Sequence, residues 1–292
     1  MTLTTAQAFS TFLSDSVNPT ENQRLDVSAK RSKTAEYLGS AFPSSSTLPL
    51  KRVVLIGSAD RGTLIRPVED VDVMAEFTNK DNVFETYRYN SGAFLQRIRT
   101  ALNANTSIRK IGARGQAVRL FYTSGAHVDI APVFKWSGEG FALPSGDGGW
   151  ITTDPEAQAT WFTQRKIAVG ASLPTLIKLA KRWNDVHSKR LESYHLEVVT
   201  SNAFATVGTN YRDGMKCFFE WAPNWIDVND PAGHSGTLSS YLSWSDRQAI
   251  STRCREALDR AKRALDAESA GDHTEAKRLW KIEMGDAFPA SS

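Results

Sequence analysis

The sequence predicts an α/β lobe built on a mixed β-sheet, followed by an α-helical lobe. Short β-branched runs such as KRVVLIG (51–57) and VDVMAEF (71–77) alternate with segments whose apolar residues recur at helical spacing. From Thr153 onward the pattern is helical. A glycine-rich stretch separates the two parts, so the predicted domains are residues 1–150 and 151–292.

The composition is close to the average for globular proteins, and the charge balance does not identify a nucleic-acid binder. The chain has 292 residues, 41% of them hydrophobic and 23% charged, which is enough for two modest domains. The formal net charge is only +3. Because binding to nucleic-acid phosphates needs clustered charge, this small surplus indicates at most a local basic pocket.

The first lobe begins with two predicted helices. Phe9, Phe12 and Leu13 recur at helical spacing before the breaker Asn18-Pro19, and a second helix is predicted from Glu21 to about Leu38. A serine-rich loop follows.

Strand patterns follow the serine-rich loop. KRVVLIG is typical of a buried strand ending at a glycine, and VDVMAEF is typical of a second strand. A helix is predicted from Asn82 to Asn103. AVRLFYT and HVDIAPVF are predicted strands, and the Ser124-Gly125 pair between them indicates a hairpin.

The second lobe is predicted to contain only helices. Pro144 to Trp150 is predicted to be a flexible loop at the domain border, and Asp154-Pro155 has the pattern of a helix N-cap with proline at the first position. Further helices are predicted over SLPTLIKLAKRWNDVH, from about Ser193, and over Trp244 to Ser269.

One group of residues combines a glycine loop with paired carboxylates. Gly57-Ser58 ends a strand, where a backbone without a Cβ can approach a phosphate closely. Asp70 and Asp72 lie two apart on the next strand, so both point to the same face. Two carboxylates in that position can hold Mg²⁺, which prefers hard oxygen ligands.

A third carboxylate, Asp129, lies in the otherwise apolar strand HVDIAPVF. Burying it without a partner is costly, and a metal ion shared with Asp70 and Asp72 would supply one. A DxD pair alone is common in surface turns and in other metal enzymes. The combination with Gly57-Ser58 and a strand-borne Asp129 is far more specific to metal-dependent nucleotide chemistry.

The segment GSADRGTLIRPVEDVDVM resembles the signature of polymerase-β-type nucleotidyltransferases, and HVDIAPVF resembles their third-carboxylate strand. The RGTLIRP wording is similar to the cGAS/DncV-like nucleotidyltransferases (CD-NTases), which make cyclic oligonucleotide messengers in antiphage (CBASS) defence. Segments of the second half, among them LIKLAKRWN and LESYHLEVV, are similar to that family and to oligoadenylate synthetase.

The resemblance implies a catalytic α/β lobe, a helical lobe that completes the nucleotide pocket, and a role for each matching residue. Asp70, Asp72 and Asp129 would be catalytic and bind two Mg²⁺ ions, for which Mn²⁺ could substitute. The nucleotide would contact Gly57, Ser58, Lys181, Ser193 and Tyr194. Lys178, Lys181 and Arg182 share one side of a helix, where a solvated basic face would show the same pattern.

The expected activity is synthesis of a cyclic di- or trinucleotide from nucleoside triphosphates, and the product would act on an effector protein. The alternative is a nucleotidyltransferase that adds nucleotides to RNA or tRNA ends, which would share the three aspartates. The two cysteines and five histidines show no zinc-ligand spacing, so zinc-dependent DNA sensing is not expected. No secretory signal or membrane span is expected either, and we predict a cytoplasmic protein.

Overall fold

The computed structural model describes residues 3–103, 108–136 and 138–290. Contacts between residues divide the chain into two compact units. The sheet unit comprises Pro19–Arg61 and Pro67–Ala159; the helical unit comprises Met1–Asn18, Gly62–Arg66 and Thr160–Ser292. The mixed α/β lobe and the helical lobe predicted from the sequence are confirmed.

The sheet unit contains a seven-stranded mixed sheet. Its strands are β1 (Leu50–Leu55), β2 (Asp70–Phe77), β3 (Lys110–Arg114), β4 (Ala117–Phe121), β5 (His127–Lys135), β6 (Phe141–Pro144) and β7 (Trp150–Thr153). The order is β1-β2-β5-β4-β3, and β6 pairs with the far end of β5 and with β7. Strands β2 and β5 run parallel at the centre of the sheet, while β1 and β4 flank them antiparallel.

The helices of the two units follow the chain in order. They are α1 (Thr5–Phe12), α2 (Glu21–Ala41), α3 (Gly57–Asp60), α4 (Phe84–Tyr87), α5 (Ser91–Asn103), α6 (Pro155–Val169), α7 (Leu173–Val186), α8 (Ser193–Asn202), α9 (Tyr211–Trp221), α10 (Trp244–Ser269) and α11 (His273–Met284). Along the described part of the chain, no helix combines the length and apolar character needed to cross a bilayer.

Most of the predicted elements are confirmed, and the differences have local causes. The single helix predicted from Asn82 to Asn103 is wrong: the chain forms α4 and then α5. The Asn90 side chain lies between them and accepts a hydrogen bond from the Ala93 amide at 3.1 Å, which starts a new helix. The predicted loop from Pro144 to Trp150 is in fact the turn of the β6–β7 hairpin, in which Pro144 pairs with Trp150.

The two units do not coincide with the two continuous domains predicted, residues 1–150 and 151–292. The N-terminal helix packs within the helical unit because the ring of Phe9 meets Trp280 at 5.0 Å and Phe288 at 5.1 Å between centroids. Strand β7 and the start of α6 remain with the sheet because Trp150 packs among aromatic rings such as Phe94. How the chain divides into independently folding domains stays a prediction.

Each unit has its own hydrophobic core. In the sheet unit, Met74, Val133, Phe141 and Leu143 form a buried cluster on β2, β5 and β6. In the helical unit, large side chains from α1, α7, α9 and α11 pack together, with Trp183 and Trp280 among them. These cores hold β2, β5, α7 and α8, which are the elements that carry the candidate site residues.

Candidate active site

Gly57 begins the one-turn helix α3 directly after β1, and its conformation is one that only glycine adopts easily. Its φ is +67°, and a Cβ built there would lie 2.7 Å from Oδ2 of Asp72. The amide of Ile56 donates to the carbonyl of Asp72 at 3.1 Å, which holds the loop against β2. The neighbouring Ser58 is half-buried in the first turn of α3. The glycine is therefore required by the aspartate across from it.

The acidic residues are brought together by the parallel pairing of β2 and β5. Asp70 lies opposite His127 and Asp72 lies opposite Asp129 in the register of the two strands. All four side chains are partly exposed, whereas Val71 and Val128 between them are buried on the other face. The predicted shared face of Asp70 and Asp72, with Asp129 on the adjacent strand, is confirmed.

Three of these residues form a group with the dimensions of a metal site. One ligand atom each from Asp70, His127 and Asp129 lies within 4.8 Å of the other two. Carboxylate oxygens are the ligands that Mg²⁺ prefers, and imidazole nitrogen also suits Mn²⁺ and other transition metals. The donor set therefore fits a divalent cation. His127 was not predicted as part of the site, although its place two residues before Asp129 puts it on the same face.

Asp129 is also engaged by a cation of the protein itself. Arg119, opposite Asp129 on β4, donates to its two carboxylate oxygens at 2.6 and 2.5 Å. The His127 Nε2 atom is 3.9 Å from the nearer oxygen of Asp129 and makes no hydrogen bond to any described residue. The alternation of Val118, Arg119 and Leu120 places Arg119 on the same face of the sheet as the acids, but the sequence does not show which of them it meets.

The electrostatics of the group favour an added positive charge. Burial, followed by the carboxylates of Asp70 and Asp129, raises the pKa of Asp72 to about 6, while Arg61 and Arg119 oppose the shift. Two guanidinium groups thus do not compensate three carboxylates. A bound cation would relieve this surplus, and it would favour the ionised form of Asp72.

The remaining predicted nucleotide contacts, Lys181, Ser193 and Tyr194, lie in the helical unit. Ser193 is exposed at the first position of α8. Tyr194 is half-buried, and its hydroxyl donates to Oδ1 of Asp230 at 2.9 Å. The Asp230 carboxylate also accepts hydrogen bonds from the amides of Ala232 and Ser235, so it organises the loop that follows.

Lys181 has a different environment from the basic helix face that its spacing suggested. Its side chain is buried, and Nζ lies 2.6 Å from Oε1 of Glu197 on α8. The sequence analysis did not identify Glu197 or Asp230. A signal for Glu197 existed, because it is the one charged residue within the apolar run HLEVV.

His195 beside Tyr194 is a structural residue. Its Nε2–H donates to the carbonyl of Ile226 at 2.8 Å, and its Nδ1 accepts from the hydroxyl of Tyr241 at 2.9 Å. Burial lowers the pKa of His195, in keeping with a neutral ring. Both ring nitrogens are therefore used in holding the segment after α9.

Comparison with known proteins places this geometry in a family. Residues 1–166 match the model of the Second Messenger Oligonucleotide or Dinucleotide Synthetase domain. The chain is 28% identical over 277 residues to a probable cyclic nucleotide synthase of Bacillus cereus strain VD146, covering 82% of this chain and 83% of that protein. It is 24% identical to the cyclic AMP-AMP-AMP synthase of Escherichia coli strain MS 115-1, covering 95% of each.

The fold agrees with a solved structure as well. The structure of E. coli MS115-1 CdnC with ATP superposes with a TM-score of 0.78 at 18% identity, covering 97% of this chain and 98% of that one. The family model spans more than half of the 292 residues. The chain therefore belongs to the second messenger oligonucleotide or dinucleotide synthetases, the cGAS/DncV-like family of nucleotidyltransferases.

Proposed function

We propose that this protein joins nucleoside triphosphates into a cyclic di- or trinucleotide in a Mg²⁺-dependent reaction, and that the product acts as a messenger in antiphage (CBASS) signalling. The observation that carries the proposal is the grouping of the Asp70, Asp72 and Asp129 carboxylates on one face of β2 and β5, beside the Gly57 loop. Family membership supports cyclic oligonucleotide synthesis. The resemblance to CD-NTases supports the signalling role and an effector that responds to the product.

Asp70, Asp72 and Asp129 are the proposed metal ligands. Ligand atoms of Asp70 and Asp129 group with one of His127, which is therefore close enough to contribute, whereas Asp72 is not part of that group. Two bound Mg²⁺ ions, or Mn²⁺ in their place, would supply charge neutralisation of the triphosphate and acidify the attacking hydroxyl. The contribution of the protein is to hold the carboxylates on one face of two paired strands. It also keeps their negative charge in surplus, so that a dication is attracted to them.

Nucleotide contacts are proposed for Gly57, Ser58, Lys181, Ser193 and Tyr194. Gly57 and Ser58 would contact the donor triphosphate, because the loop approaches Asp72 with no Cβ between them. Lys181 would contact the phosphates, while Ser193 and Tyr194 would line the donor pocket and Tyr194 would stack on the donor base. The hydrogen bond from the Tyr194 hydroxyl to Asp230 restricts the rotation of the ring.

The reaction proposed is in-line attack of a ribose hydroxyl on the α-phosphorus of a bound triphosphate. A new phosphodiester P–O bond forms, the bond between the α-phosphorus and the bridging oxygen breaks, and pyrophosphate leaves while the hydroxyl proton is released. Cyclisation repeats the same chemistry when the free hydroxyl of the linear intermediate attacks its own α-phosphorus. Most of the rate would come from positioning and electrostatics, with little demand for a side-chain base.

The test is incubation of the purified protein with all four NTPs and Mg²⁺ or Mn²⁺, followed by phosphatase treatment and mass spectrometry. Asp70→Asn/Asp72→Asn is the inactive control, and Glu76→Gln, on the same strand but paired with cations away from the site, is the matched active control. A phosphatase-resistant cyclic product, absent only from the aspartate variant, supports the proposal. Linear or RNA-attached products alone would favour the RNA- or tRNA-end-tailing alternative.

A further inference from the structure

A buried group of three residues in the helical unit connects Lys181 to the chain segment 62–66. Lys181 is 6% exposed, Glu197 1% and Thr63 0%. A single oxygen, Oε1 of Glu197, accepts from Lys181 Nζ at 2.6 Å and from Thr63 Oγ1 at 2.7 Å. Lys181 Nζ also lies 3.2 Å from the carbonyl of Thr63.

The segment that contains Thr63 is held in the helical unit by further contacts. Ile65 packs against the core of that unit, and the amide of Arg66 donates to the carbonyl of Val17 at 2.9 Å. Along the chain, residues 62–66 lie between Ser58 and Asp70. One carboxylate oxygen of Glu197 therefore accepts hydrogen bonds from two partners. One is Lys181, a proposed phosphate contact, and the other is Thr63, in the segment that joins the Gly57 loop to β2.

Stability alone does not account for an arrangement of this kind. Burying two charges costs about as much as their attraction returns, and apolar residues of similar volume often serve the fold equally well. What a buried, shared carboxylate oxygen does provide is geometry: it restricts a long, flexible lysine side chain to one position. In a binding site, such prior restriction reduces the entropy lost when the ligand is bound.

We propose that Glu197 is a positioning residue that holds the Lys181 ammonium and Thr63 in the arrangement needed to bind the triphosphate of the donor nucleotide. This inference rests on the proposed function, since it takes Lys181 to contact phosphate. It makes a specific claim about selectivity: Glu197 contributes to recognition of the triphosphate and contributes nothing to recognition of the nucleoside.

The experiment compares the affinity of Glu197→Gln and of wild-type protein for two ligands, α,β-methylene-ATP and adenosine, by calorimetric titration with Mg²⁺ present. Gln keeps the size and one acceptor oxygen but loses the charge that fixes the lysine. We expect the affinity for the ATP analogue to fall about tenfold, or ~1.4 kcal/mol, and the affinity for adenosine to stay unchanged. Thr63→Val removes only the hydrogen bond from the Thr63 hydroxyl to Glu197. It should lower the affinity for the ATP analogue about threefold, a smaller loss than that expected of Glu197→Gln.

Glu283→Gln is the matched control, because Glu283 is a second fully buried glutamate of the helical unit, bonded by Trp183 and Arg260. It should lower the melting temperature without changing the preference for the ATP analogue over adenosine. The inference is overturned if Glu197→Gln lowers the affinity for both ligands equally. It is also overturned if the variant binds the ATP analogue more tightly because Lys181 has lost a neutralising charge.

The controls separate failure of this inference from failure of the proposed function. If Glu197→Gln does not fold, the ratio of the two affinities in Thr63→Val decides the inference. If the wild-type protein binds the ATP analogue no better than adenosine, the proposed triphosphate site itself is wrong. If the wild type prefers the ATP analogue to adenosine, and both Thr63→Val and Glu197→Gln keep that preference in full, only the proposed role of Glu197 is wrong.

Discussion

Two acidic residues on the same strand, Asp72 and Glu76, have opposite electrostatic environments. Both are on β2 and, four residues apart, project to the same side of it. Burial, followed by the carboxylates of Asp70 and Asp129, raises the pKa of Asp72 to about 6. Burial would also raise the pKa of Glu76, but hydrogen bonds from Lys51 at 2.8 Å and Arg52 at 2.6 Å bring it below its usual value.

The difference shows that burial of a charged group does not by itself indicate a functional site. Glu76 is more deeply buried than Asp72, yet two cations from β1 balance it, so it needs no external partner. Around Asp72 the carboxylates outnumber the cations that face them. An excess of one sign of charge, rather than burial, is what distinguishes a ligand site from a structural ion pair.

The largest effect expected is from Asp72→Asn. Product formation should fall by about a thousandfold or more, because a metal ion supplies several kcal/mol and each 1.4 kcal/mol is a factor of ten. Without metal, the same variant should be more stable than wild type at pH 7 by roughly 1–3 kcal/mol, because a repelled, buried charge is removed. Activity assays and urea unfolding with chelator test both parts. If Asp72→Asn were less stable than wild type without metal, that result would contradict a surplus of negative charge around Asp72.

Gly57→Ala should have the next largest effect on activity. The new Cβ would lie 2.7 Å from Asp72 Oδ2 and would have to displace the carboxylate. A displacement of about 1 Å at a reacting site can cost on the order of a hundredfold in rate, and we expect a loss of that size. Gly62→Ala is the matched control: its φ of +68° carries the same backbone strain, but within the described part of the chain no atom outside its own chain neighbours lies within 4 Å of the added Cβ. Equal losses in the two variants would mean that strain, not contact with Asp72, explains the effect.

Glu76→Gln should affect stability and leave the preference for substrates unchanged. Loss of two charge-assisted hydrogen bonds should lower the free energy of unfolding by about 2 kcal/mol at pH 7. Since the pKa of Glu76 is lowered in the folded state, its contribution is present above the unfolded pKa and disappears as the pH falls through the folded pKa. Unfolding curves of wild type and variant should therefore converge at acidic pH, below about 4. A difference that persists unchanged there would assign the effect to packing.

The sequence predicted those features of the site that depend on local pattern. Strands β2 and β5 and the three aspartates were identifiable because alternation and spacing are properties of single segments. The pairing of Arg119 with Asp129 and of Lys181 with Glu197 was not identifiable, because each joins elements whose register is decided by the whole fold. The short strands β3, β6 and β7 were missed for a different reason: five, four and four residues carry too little pattern to be recognised.

The smallest effect expected concerns Arg119, which already contacts the acidic group. Arg119→Gln removes a guanidinium that donates to both oxygens of Asp129. Because a unit charge about 4 Å away in a water-like dielectric contributes about 1 kcal/mol, we expect Mn²⁺, titrated without nucleotide and followed by electron paramagnetic resonance, to bind about fivefold more tightly. Arg119→Lys keeps the charge and loses the paired bonds, so it should change affinity less if charge dominates. Weaker Mn²⁺ binding by Arg119→Gln would instead show that Arg119 orients Asp129 for the ion. The position of the Asp129 carboxylate would then contribute more to Mn²⁺ affinity than the surplus of negative charge.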